Sequence, residues 1–229
     1  MIKLENVVLA SSEQMAFVIE GMRNPMNSWN KSDSGYGCED KLCWKACKFS
    51  PEWCGNGQKY VLGESDHSLM QRLSDAGTEH RKYMRMMPVY ARITAPLYWW
   101  KEFDTYKVGT VANSCSTMHK IAEKEFTLED FSTEHLSKVS LEYLKSSINH
   151  LNFIREIYSI DKTNKGAWWQ MIQLLPSSYN QTRNVMMNYE VLANIHKSRK
   201  NHKLDEWREF CKWIETLPYS ELITGDVTN

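Results

Sequence analysis

Short apolar runs followed at once by capped helical segments occur twice in this chain. The first run is Val7–Leu9, and Ser11 and Gln14 behind it have the spacing of a capping box, in which each side chain satisfies a backbone N–H of the other residue. The second run lies within Met84–Ile93, and Pro96 after it suits the first turn of a helix. Strands interleaved with helices indicate an α/β domain.

Periodicity of the apolar residues extends this prediction along the chain. Predicted strands cover 2–10 and part of 84–93, and predicted helices cover 11–22, 66–76, 94–103, 132–160, 167–175, 181–200 and 203–217. Between 23 and 63 the chain is polar and rich in turn residues, which predicts one long loop-rich insertion.

Length and charge limit the classes of protein to consider. The chain has 229 residues, 28 basic and 28 acidic, which predicts one domain over 1–229 without the positive field of a general nucleic-acid or membrane-surface binder. No stretch of signal-peptide length and no apolar run of about 18 residues occurs. We therefore expect a cytoplasmic protein that binds neither membranes nor nucleic acid.

Four of the six cysteines lie close together within the predicted insertion. These are Cys38, Cys43, Cys47 and Cys54. A reducing cytosol disfavours disulfides, and crowded thiolates can share a tetrahedral zinc ion. The spacing lacks paired CxxC knuckles, so free thiols on a surface loop are the alternative reading.

A known family pattern occurs near the C-terminus. The stretch LPSSYNQTRNVMMNYEVLANIHKSRKNHKLDEW resembles the C-terminal segment of flavin-dependent thymidylate synthases, in which Leu-Pro precedes an Asn that opens a helix carrying Asn and Arg at fixed later turns. The corresponding residues here are Leu175-Pro176, Asn188, Leu192, Asn194 and Arg199. The upstream segments LMQRLSDAGTEH and ITAPLYWWKEF are similar to the same family, so the resemblance covers roughly 66–215.

The resemblance departs from the family at its signature. Alignment on Asn113 and Ser116 places Tyr106, Lys107 and Val108 where the family has Arg-His-Arg. It also replaces the first signature Ser by Val111, the Glu after Asn by Ser114 and the final Arg by Met118. Further along, Glu190 replaces an Arg and Asp205 replaces a Gln. Since guanidinium groups bind phosphates bidentately, these changes remove or move anion-binding groups.

The resemblance implies a divergent enzyme that methylates a uracil or other pyrimidine nucleotide at C5. Methylenetetrahydrofolate would donate the one-carbon unit, NADPH the hydride, and bound FAD would carry it. The implied roles are catalysis for Arg199, cofactor binding for Asn188, Asn194 and His202, and substrate binding for Lys107, Asn113, Ser116 and His119. The resemblance also implies the family's α/β fold, a twisted sheet flanked by helices, and a homo-oligomer, the homotetramer of the family.

Other readings of the same residues remain open. The altered signature also suits a non-catalytic nucleotide-binding or sequestering protein on the same scaffold, of phage origin in one reading, or a modified reaction on another pyrimidine nucleotide. The segment GTVANSCSTMH can be read as an anion-binding turn or as a tightly packed one. On one helix from 181 to 200, Asn188, Leu192, Ile195 and Arg199 would form a stripe, with Asn194 off it.

Overall fold

The computed structural model describes residues 2–37 and 59–225. Its strands are β1 (Lys3–Leu9), β2 (Gly35–Gly37), β3 (Lys59–Val61), β4 (Pro88–Pro96), β5 (Val111–Ser114) and β6 (Asn180–Asn188). Its α-helices are α1 (Ser12–Arg23), α2 (Glu64–Asp75), α3 (Leu97–Phe103), α4 (Lys138–Ile160), α5 (Lys165–Leu174), α6 (Tyr189–Arg199), α7 (Asp205–Glu215) and α8 (Glu221–Thr224). The predicted cysteine cluster, Cys38, Cys43, Cys47 and Cys54, lies outside the described residues.

The main sheet is antiparallel, with the strand order β1-β4-β6-β5. Strands β4 and β6 pair along their full length, from Pro88 opposite Asn188 to Pro96 opposite Asn180. The edge strand β1 carries a register shift between Glu5 and Val8, and Asn6 there has φ 50°. Strands β2 and β3 form a separate two-stranded antiparallel sheet. The prediction of an α/β fold with a helix-flanked sheet is confirmed.

The sheet buries one face and leaves the other open. In β4, Val89, Ala91, Ile93 and Ala95 are buried, whereas Tyr90 and Arg92 between them are exposed, as the period of two in a strand dictates. Helices α3, α6 and α7 cover the buried face. Their aromatic side chains pack closely there: the ring centres of Trp99 and Trp207 lie 4.8 Å apart.

Three of the predicted helices are wrong in part. The predicted helix 94–103 begins only at Leu97, because residues 94–96 still belong to β4 and Pro96 is its extended N-cap. The predicted helix 181–200 is strand β6 up to Asn188 and helix only from Tyr189. The alternation in β6 has the period of a strand, because Val185 and Met187 are buried and Asn184 lies exposed beside them. The predicted helix 132–160 begins only at Lys138, where Ser137 accepts a hydrogen bond from the N–H of Ser140.

Helices α4 and α5 pack on each other beside the sheet and have a smaller core of their own. Buried there are Ile121, Phe126, Phe131, Leu144, Ile148 and Leu151. Among the described residues, no helix is long and apolar enough to cross a membrane.

Candidate functional site

Asn188 lies where strand β6 becomes helix α6. It has an extended backbone, and its Oδ1 accepts a hydrogen bond of 2.9 Å from the N–H of Val191. An Asn in this position satisfies one of the free N–H groups that begin every helix. Since Oδ1 serves as the cap, Nδ2 is the group that Asn188 turns toward the neighbouring chain segment.

That neighbouring segment is 106–109, which joins α3 to β5. Gly109 has φ +83°, and a Cβ built there would lie 2.7 Å from Nδ2 of Asn188. At the other end of the segment, the hydroxyl of Tyr106 accepts a hydrogen bond of 2.9 Å from Nε of Arg199. The segment therefore lies against side chains from both ends of helix α6, that of Arg199, its last residue, and that of Asn188, its N-cap. We call this the 106–109 surface; Lys107 on it is exposed.

Arg199 is held by a network around Glu102. One oxygen of Glu102, Oε2, accepts hydrogen bonds from Nη1 of Arg199 at 2.7 Å and from Nε1 of Trp207 at 2.9 Å. Nε2 of His202 lies 3.5 Å from the same oxygen. The guanidinium also lies 4.9 Å from the ring centre of Trp207, a cation–π distance. The structure thus brings together Arg199 and His202, two residues that the sequence predicts for the site.

Asn194 lies in a different network on the same helix. Its Oδ1 accepts a hydrogen bond of 2.9 Å from Nη2 of Arg81. The buried Glu190 pairs with both Arg81 and Arg85, at 3.5 Å for Nε of Arg81. Where the resembled family has an Arg, this chain therefore has a carboxylate that two guanidinium groups from the 80–87 segment neutralise.

The remaining predicted substrate-binding residues lie away from helix α6. Asn113 belongs to edge strand β5 and lines a shallow cavity of about 580 Å³ on the open sheet face, together with Tyr90, Arg92 and Asn184. Ser116 accepts a hydrogen bond of 2.9 Å from the N–H of His119 in the turn after β5. The structure does not bring these residues to the 106–109 surface, since helix α6 packs on the opposite, buried sheet face.

The segment GTVANSCSTMH, for which an anion-binding turn and a tightly packed turn were the two readings, is not a turn in its central part. Residues 111–114 are strand β5, which pairs with β6, and the N–H of Cys115 donates to the carbonyl of Thr182 at 2.9 Å. The backbone groups of this strand that face β6 are therefore engaged in the sheet. In the described ranges, no group of three potential metal-ligating side chains occurs.

Glu102 and Trp207 are the members of this site that the sequence did not indicate. Glu102 lies 97 residues from Arg199, and no local spacing relates the two. Only the packing of α3 against α6 and α7 brings them into contact.

Known proteins resemble this chain in structure. No family model matches its sequence, and neither does any curated protein. Two solved structures of flavin-dependent thymidylate synthase ThyX from Helicobacter pylori, both with FAD and dUMP, match it with TM-scores of 0.59 and 0.66 at 16% and 13% identity. The first alignment covers 96% of this chain and 95% of that one, and the second covers 100% of both. A UMP/dUMP methylase, PolB from Streptomyces cacaoi, bound with 5-Br dUMP, matches with a TM-score of 0.55 at 12% identity, over 94% of this chain and 89% of that one.

Proposed function

On the premise that this chain has the fold of the flavin-dependent thymidylate synthases, we propose that it methylates a uracil nucleotide at C5 with a bound flavin. The observation that carries the proposal is the 106–109 surface. It joins the segment aligned with the family's Arg-His-Arg signature to the helix that carries Asn188 and Arg199. These segments are about 80 residues apart in sequence, and folding brings them side by side.

The groups on this surface suit a flavin or a nucleotide. Lys107 and Arg199 are cations, which match the carbonyl and phosphate oxygens of both ligands. The amide of Asn188 is buried against Gly109, so a ligand would reach it only where the 106–109 segment moves aside. A guanidinium has five N–H donors, and Tyr106 and Glu102 take one each. Arg199 can therefore bind a ligand oxygen without breaking either contact.

Each residue has a defined role in the proposal. Arg199 would polarise a carbonyl of the pyrimidine ring, and Lys107 would bind the phosphate. The flavin would be held by Asn188, Asn194 and His202, of which Asn194 lies on a different side of α6. The nucleotide would contact Asn113, Ser116 and His119 only where another copy or another conformation brings these residues near. Bound FAD would supply the hydride, received from NADPH, that reduces the methylene group donated by methylenetetrahydrofolate.

The proposal is tested by the proton that methylation must remove from C5. Purified protein is incubated with FAD, NADPH, methylenetetrahydrofolate and either dUMP or UMP that carries tritium at C5. We expect tritium release into water and a C5-methylated product, and the two nucleotides distinguish a deoxyribose from a ribose preference. Lys107→Ala should raise KM about tenfold, since one charged contact to phosphate is lost. Lys101→Ala, at an exposed position on α3, is the matched control.

Two results would contradict the proposal. Protein that stays colourless with FAD, gains no thermal stability from it and releases no tritium is not a flavin enzyme. If dUMP or UMP still raises Tm in that protein, the sequestering function on the same scaffold takes its place.

A further inference from the structure

Helix α4 has two apolar faces, and only one of them packs against the protein's own core. Leu144, Ile148, Leu151 and Ile154 are buried. On the other side, Val139, Tyr143, Phe153 and Ile160 are 81%, 80%, 59% and 89% exposed. Solvent-facing positions of a surface helix are normally polar, so an apolar row on that side indicates a contact with another molecule.

The spacing of this second face indicates what kind of molecule. Its positions advance by four and three residues in alternation, as in the seam of a coiled coil: Val139, Tyr143, Ser146, His150, Phe153, Ile157 and Ile160. All seven are exposed, and we call them the α4 stripe. A seven-residue repeat keeps side chains facing a second helix, so the partner surface is helical.

We propose that the α4 stripe binds the α4 stripe of a second copy of this chain, antiparallel about a two-fold axis near residue 148. In this register every layer joins side chains of like chemistry. Tyr143 faces Phe153 of the other copy, Val139 faces Ile157, and Ser146 faces His150. Ile160 extends past the last of these layers, since position 136 of the other copy precedes its helix.

The pairing is self-complementary, as a two-fold interface requires, because each layer occurs twice with the partners exchanged. The charged residues beside the α4 stripe do not oppose this pairing of two copies strongly, because Glu142 is already neutralised by Lys145 at 2.7 Å. A helix of 23 residues is about 35 Å long and offers about 350 Å² along a contact 10 Å wide, less than the roughly 800 Å² per partner of most stable complexes. We therefore expect a reversible contact.

Charge exchange between facing layers tests both the partner and the register. Tyr143→Lys and Phe153→Glu proteins are studied separately and as an equimolar mixture by sedimentation velocity. Each variant alone should dissociate, with a dissociation constant at least about tenfold above that of the wild type, because its new charge faces an apolar side chain. In the mixture, the introduced ammonium group of one copy would meet the introduced carboxylate of the other, and the association should return. In a parallel pair of helices, position 143 would face position 143 of the other copy, so the two introduced charges would not meet and mixing the variants would not restore association.

The matched control is Phe17→Glu on helix α1. Phe17 is 68% exposed, close to the 59% of Phe153, so the same change is made at similar exposure on another helix. It should leave the association of the wild type unchanged. Circular dichroism checks that all variants keep the fold.

Three results would overturn the inference: wild-type protein that is monomeric up to its highest soluble concentration, a Phe153→Glu variant that associates like the wild type, or a mixture that stays dissociated. The inference does not depend on the proposed function, since sedimentation measures mass and not flavin chemistry.

Discussion

Arg199 and Glu102 form an ion pair at the 106–109 surface, so an anionic ligand that binds the free N–H donors of Arg199 is also repelled by the nearby carboxylate. The pair also fixes the guanidinium between Tyr106 and Trp207, which lowers the conformational freedom that binding would otherwise remove. Glu102 thus has opposite effects on ligand affinity. Its charge weakens the binding of an anion, whereas its hydrogen bond holds the guanidinium of Arg199 in a fixed position for the ligand.

At this residue scale, substitution of each partner separates the two effects. We expect Arg199→Gln to weaken nucleotide binding by about 2 kcal/mol, roughly 30-fold, because a charged hydrogen bond to the ligand is lost. Glu102→Gln keeps an oxygen for Trp207 and removes the competing charge, so binding should tighten up to about fivefold. Isothermal titration with dUMP and with FAD measures both.

Two outcomes would contradict these roles of Arg199 and Glu102. If both substitutions weaken binding equally, or if neither changes it while both lower Tm, then Arg199 and Glu102 are a structural pair only. Arg208→Gln, at a half-exposed arginine on α7, is the control for the loss of one positive charge.

At the scale of elements, the approach of Gly109 to the start of α6 is specific to this site. Gly109 and Gly77 both have positive φ, of +83° and +100°, so alanine is strained at either position. At Gly77 a Cβ meets nothing within 4 Å, whereas at Gly109 it would lie 2.7 Å from Nδ2 of Asn188.

We therefore expect Gly77→Ala to lower the free energy of unfolding by about 1 kcal/mol and Gly109→Ala by about 2 kcal/mol. Only Gly109→Ala should also weaken FAD or nucleotide binding, because it pushes the 106–109 segment away from α6. Urea unfolding and ligand titration of the two variants give the comparison. Equal effects of the two variants on both measurements would mean that the close approach has no role in binding.

The elements also show which parts of the fold were predictable from sequence. Capping signals are local, so the start of α1 at Ser11 and the end of α2 before Gly77 were predicted correctly. Strand β6 was taken for a helix because its buried residues, among them Gln181 and Val185, do not form a clear apolar alternation. Its pairing with nine residues of β4 outweighs its local preference, and such long-range pairing leaves no mark in the segment itself.

The same distinction applies to the site. The spacing of Asn188 and Arg199 lies within one segment and was visible through the family resemblance. The role of Glu102 was not, because it depends on the packing of three helices that are distant in sequence.

At the scale of the whole molecule, Asp66 ties the first helices together. It is fully buried, pairs with Arg23 of α1, and accepts hydrogen bonds of 2.6 Å from the hydroxyl groups of Ser32 and Ser34. Burial alone would raise the pKa of this carboxyl, but the hydrogen bonds from Ser32, Ser34 and Arg23 outweigh it and hold the pKa below the ordinary value of 3.8.

Because the pKa of Asp66 is lower in the folded than in the unfolded state, its ionised carboxylate stabilises the fold at pH values above the unfolded-state pKa. This stabilisation is lost as the pH falls through the folded-state pKa. We expect Asp66→Asn to lower the free energy of unfolding by about 3 kcal/mol at neutral pH, since it leaves the Arg23 charge buried without a partner. The difference from the wild type should shrink as pH falls below 3.8. Urea unfolding across pH measures this, with the exposed Asp75→Asn as control; a difference independent of pH would contradict the assignment.

The two margins of the main sheet have a consequence for how copies of this protein meet. A sheet can recruit further chains along its outermost strands, and that route leads to open-ended fibres. Here one margin is bent by the irregularity at Asn6 and bears the charges of Lys3 and Glu5, and the other is a strand of only four residues. Lateral growth of the sheet is thus discouraged on both sides, so pairing of strands between copies is disfavoured.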